Sequence, residues 1–71
     1  MSKLGGEYNK AIRDYDSAIN IDSRCSDAYF NRGISYAKAG NEAKALEDIG
    51  LSARLGYKQA QDFLRSEGIT W

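Results

Sequence analysis

Displaced by 34 residues, this 71-residue chain falls on itself. Gly6 meets Gly40, Lys10 meets Lys44, Ala11 meets Ala45 and Asp14 meets Asp48, while Ile12 falls on Leu46, Tyr15 on Ile49, Ala18 on Ser52 and Ile21 on Leu55. A weaker match sets Tyr29 on Phe63. Self-similarity at one fixed period marks a chain assembled from copies of a supersecondary unit that buries its apolar face by stacking on its neighbours.

Each copy reads as a pair of helices. In 7–21, Tyr8, Ala11, Ile12, Tyr15, Ala18 and Ile19 recur at steps of three and four, the spacing of an amphipathic helix. A second helix is predicted over 27–39 behind Ser26 as N-cap, and a third over 42–55 behind Asn41. A shorter fourth covers 57–67. Gly40, Gly56 and Gly68 stand just past the last three, where helices commonly end on glycine. The chain contains no proline. Turns of a few residues make sequential helices pack antiparallel, so the expected class is all-α, built from helical hairpins.

Gly33 sits in the middle of the second helix between Tyr29 and Tyr36, where it costs roughly 1 kcal/mol against alanine. A close helix crossing, with Gly33 facing Ala45 on the third helix, would explain it. With Tyr29, Gly33 and Tyr36 in one helix, and Ala45 and Ile49 (one repeat earlier, Ala11 and Tyr15) in the next, the chain resembles the tetratricopeptide repeat family. "GNEAKAL" and "GEYNKAI" are similar to that family's turn between helices.

The resemblance implies a right-handed solenoid fragment of about four helices in one domain over residues 1–71. In it, 7–21 is the second helix of an incomplete repeat, 26–55 a complete repeat and 57–67 a capping helix. It implies a protein–protein interaction scaffold whose groove, on the concave face of the second helix, grips a peptide or protein partner through Asp27, Phe30, Asn31, Ile34, Ala37 and Lys38. Four positions depart from the pattern. Arg32 replaces a leucine, and its stem is expected to cover apolar surface while its head reaches water. Ser23 and Tyr57 replace a proline, and Ser52 replaces an alanine.

The first helix is left with no covering neighbour on one side, so Tyr8, Ile12 and Ile19 are expected to form an open apolar flank. That makes a homo-oligomer, including one formed by exchange of helices, the alternative reading: a self-assembly unit with no separate ligand. The more polar fourth helix reads as a finished end.

Composition removes other classes. Ten Lys and Arg balance ten Asp and Glu, and there is no basic excess to hold nucleic acid or an anionic membrane. Without histidine the chain lacks the usual near-neutral base and the commonest metal ligand. The neighbouring acids, Asp14 with Asp16 and Glu47 with Asp48, point in different directions on a helix and read as solvated faces, not catalytic dyads. No catalytic residue, metal site or cofactor is expected. Cys25 alone cannot close an internal disulfide and reads as a small residue near a helix start. No apolar run approaches the ~20 residues of a membrane span, and a cytoplasmic chain is the default expectation.

Overall fold

The computed structural model describes the backbone of residues 2–71 and the side chains of residues 7–71. Four helices follow one another: α1 (Ser2–Ile21), α2 (Ser26–Lys38), α3 (Glu42–Arg54) and α4 (Lys58–Ser66). α1 packs on α2, α2 on α3, and α3 on α4, so the contacts run in chain order. α1 starts several residues ahead of the amphipathic stretch, because the Ser2–Gly6 backbone continues the same helix.

Three of the turns share one chemistry. After α2 the Asn41 N–H reaches back to the Tyr36 carbonyl at 2.8 Å, after α3 the Tyr57 N–H to Ser52 at 3.1 Å, and after α4 the Ile69 N–H to Leu64 at 2.9 Å. Each bond spans a glycine in the left-handed region, at φ 91° for Gly40, 98° for Gly56 and 73° for Gly68. These are Schellman caps, which satisfy carbonyls that a helix end leaves unpaired. In the second and third of them the last residue also packs inward. Tyr57 and Ile69 lie against the buried cluster of Ile49, Ala53, Ala60 and Leu64.

The other ends depart from expectation in one respect. Asn41 does cap α3, its side chain accepting from the Lys44 N–H. Ser26, however, is the first helical residue of α2, and Cys25 occupies the N-cap position without a side-chain capping hydrogen bond. The Ser26 carbonyl is used instead to accept from the buried Ser52 hydroxyl at 2.7 Å, tying the start of α2 to the end of α3. At the first corner the Asp22 carboxylate accepts from the Arg24 N–H, a side-chain turn that serves where proline is missing.

The α2–α3 crossing is as close as Gly33 requires. A Cβ placed on Gly33 would lie 2.9 Å from the Ala45 carbonyl oxygen, 2.7 Å from Ile49 Cγ1 and 3.3 Å from Asp48 Cβ. Gly50, also mid-helix, has open space around its Cα. Gly50→Ala should therefore raise stability by about 0.5–1 kcal/mol through helix propensity alone. Urea denaturation checks the sign, and a loss would mean that a contact at Gly50 had been missed.

Candidate functional site

Arg32 is the most connected side chain among the described residues, and it does not reach for water as its departure from the family pattern suggested. Its Nε and Nη2 donate to the two carboxylate oxygens of Asp48 at 2.7 and 2.8 Å, while Nη1 donates to Asp16 at 2.7 Å. The guanidinium thus joins three helices. Its side chain is 18% exposed, against 4% for Asp48 and 51% for Asp16. Asp48 is accordingly no part of a solvated face; it is a buried acid with a two-point partner, the geometry that suits a planar fork of donors. The ring centres of Tyr29 and Tyr36 lie 5.6 and 5.9 Å from the guanidinium carbon, on either side of Gly33 along α2. The bonds to Asp48 hold the Arg32 proton more tightly than usual; partial burial opposes this and the bond to Asp16 adds to it. Among the described residues every buried side-chain nitrogen and oxygen has a partner.

The residues expected to line a groove separate into two groups. Ile34, Ala37 and Lys38 form one wall of a depression of about 430 Å³, with Ala45, Leu46 and Ile49 as its floor and Phe63, Glu67 and Ile69 opposite. Asp27, Phe30 and Asn31 lie outside that lining. Phe30 is half-buried and packs on Tyr57, ring centres 5.3 Å apart at 46°, against the core. Asp27 and Asn31 are exposed, and the Asp27 carboxylate accepts from the Cys25 thiol at 3.0 Å. That bond pushes the thiol pKa up, away from the thiolate form that reactive cysteines adopt.

The opposite wall was not legible in the sequence. Phe63 comes from α4, Glu67 from its C-cap and Ile69 from the segment after it; only the helix arrangement brings them across from α2. Heptad-like spacing within α4 signals that Phe63 is apolar and inward, but not which residues of α2 it faces. The apolar surface continues past Leu46 and Ile69 into a second depression of about 390 Å³ that includes Leu51 and Trp71. Leu46, Leu51 and Trp71 are each about two-fifths exposed. The end expected to be finished therefore carries uncovered apolar surface, because the segment after α4 folds beside α3 and does not cover it.

On the first helix, Tyr8 and Ile19 are half-buried, but Ile12 is only 8% exposed. The expectation that Ile12 belongs to an open flank is corrected: it lies on the side of α1 that packs against α2. Among the described residues no three His, Cys, Asp or Glu side chains gather as a metal site would require, and no helix is long and apolar enough to cross a membrane.

The model of a family described as "TPR repeat" matches residues 3–40, more than half of the chain. Tetratricopeptide repeat protein 12 of Mus musculus is 40% identical over 42 residues, which make up 59% of this chain and 6% of that protein. The chain thus spans a small fraction of the curated relative it matches, and no solved structure matches it. Repeats of this family generally mediate protein–protein interaction, and they are non-catalytic. A helical hairpin packed through glycine, a 34-residue self-repeat and a family match over most of the first three-fifths of the sequence leave one assignment: the chain belongs to the tetratricopeptide repeat family.

Proposed function

We propose that the chain is an interaction module that seats an apolar side chain of a peptide or protein partner in the groove between α2 and α4. The observation that carries this reading is the groove itself. It has an apolar floor of Ala45, Leu46 and Ile49, apolar walls of Ile34 and Phe63, and charged groups only around it, from Lys38, Glu42 and Glu67. Pockets of this size, mostly apolar with a few polar groups, orient a ligand by its flanks and hold it by its anchor. Lys38 would pair with a carboxylate flanking the anchor, and the two glutamates with a cation. A single anchor in so small an interface gives weak affinity.

Selection from a displayed peptide library tests this. Enriched peptides should share a large apolar residue with charged neighbours. They should lose roughly tenfold or more of their affinity for the Ala37→Arg variant, which fills the groove with a long side chain. Ala37 is exposed, so this variant should keep its helicity. Peptides that bind the Ala37→Arg variant as tightly as the parent would place the interaction elsewhere.

A further inference from the structure

We propose that the outer face of α3 is a self-association surface, on which a second copy of this chain docks about a two-fold axis with its own α3 running antiparallel. The site is distinct from the α2–α4 groove: Glu47, Gly50, Leu51 and Arg54 line none of that groove and belong to the neighbouring depression.

Three features meet on this face. Gly50 sits in mid-helix, where glycine costs helix propensity. Nothing in the described chain makes use of its missing side chain, since no atom lies within 4 Å of where a Cβ would stand. Gly33 shows what such a residue does in this molecule: a second helix comes close across it. Around Gly50 the surface is apolar and uncovered. Of the five large apolar side chains exposed among the described residues, Leu46, Leu51 and Trp71 stand in this one depression. Glu47 and Arg54, on the same lining, are exposed and make no ion pair among the described residues.

The two charges name the occupant. Glu47 and Arg54 are two helical turns apart, so they share one side of α3 with about 10 Å between them along its axis. Their midpoint falls between Gly50 and Leu51. An antiparallel α3 from a second copy, crossing at that midpoint, sets its Arg54 against Glu47 and its Glu47 against Arg54. The face is then its own complement, which is what a closed two-fold interface requires. Gly50 lies at the crossing, where the two backbones come nearest, and Leu51 of each copy is buried beside it.

Sedimentation equilibrium of the intact chain from about 10 µM to 1 mM, the range of a weak association, tests this. The parent is expected to form a saturable dimer within that range. Gly50→Gln places a good helix former on open surface and should melt no lower than the parent by circular dichroism. It should nevertheless dimerise at least about tenfold more weakly, because its side chain holds the helices apart. Glu47→Arg and Arg54→Glu should each lose the dimer alone, through like charges set opposite one another. Both residues are exposed, so these variants fold as the parent does. An equimolar mixture of the two should regain a dimer of about the parent's affinity, since one chain then carries two cations and the other two carboxylates. Ala37→Arg, which fills the α2–α4 groove, should dimerise as the parent does, so the groove and this face stand or fall separately. A parent that stays monomeric to ~1 mM overturns the proposal. So does a dimer that is indifferent to Gly50→Gln or lost in Ala37→Arg, and so does a mixture that stays monomeric.

Discussion

Gly33→Leu should leave a chain with no cooperative thermal transition above room temperature. The position is closed on three sides, by the Ala45 carbonyl oxygen, Ile49 Cγ1 and Asp48 Cβ. One of those contacts is backbone and cannot rotate away, and Ile49 is among the most deeply buried side chains. Four added carbons must separate α2 from α3, and overpacking of this kind costs about 1–3 kcal/mol even where a core can adjust. Here separation also breaks the Arg32–Asp48 bonds and the Ser52–Ser26 bond. A domain of this size holds only ~3–5 kcal/mol in total. Gly33→Ala is the finer probe. It gains about 1 kcal/mol of helix propensity, but its methyl carbon meets contacts that real structures do not show, so a net loss of about 1–2 kcal/mol is expected. Circular dichroism melts decide it: each kcal/mol moves Tm by roughly 4–8 °C in a domain this small. A Gly33→Ala protein that melted higher than the parent would mean that the helices cross further apart than described.

Asp48→Ala comes next in size, with an expected loss of about 3 kcal/mol. Removing one member of a buried pair leaves the other charge without its partner, at about 3–5 kcal/mol. The lower end applies because Arg32 keeps Asp16 and some access to water. Asp16→Ala, with half of that side chain in solvent, should cost only about 0.2–1 kcal/mol. The two acids touch the same guanidinium, so the contrast isolates burial from contact. Restoring leucine at the position, in the double variant Arg32→Leu with Asp48→Ala, should recover most of the loss, since an apolar replacement of a buried pair is often neutral or better. Urea, not guanidinium chloride, is the denaturant to use, because the salt would screen the charges under study. Equal losses at Asp16 and Asp48 would show that the pair is not buried as described.

The repeat register and the glycine-capped C-terminal ends of α2, α3 and α4 could be read in advance because they rest on local chemistry. A glycine at C′ and three- and four-residue spacing carry their consequences within a few residues. Gly33 was legible for a related reason: glycine inside a good helix pattern needs a cause, and the repeat pointed to Ala45. Arg32 was misjudged because its partners lie 16 residues away on either side. A charged residue beside a glycine reads as exposed unless the crossing angle is known. Asp48 was misjudged with it. Ile12 failed differently: the spacing put it on the apolar stripe, but a stripe does not say which part meets the next helix. The groove was half legible. Ile34, Ala37 and Lys38 share one face of a single helix, while Phe63 and Ile69 reach them only through the packing of two further elements.

Because contacts run from each helix to the next, the free energy of the fold is close to a sum of neighbour terms, like a short one-dimensional chain of spins. In such a chain, news from one end reaches the other only through the links between them. Between the α1 face and the α2–α4 groove the link is α2, and its orientation is pinned by one guanidinium held from both sides. Anything seated in that groove would be felt at α1 only as far as it rotates α2 against that three-helix anchor. With the anchor intact, α1 and the groove would behave as strangers.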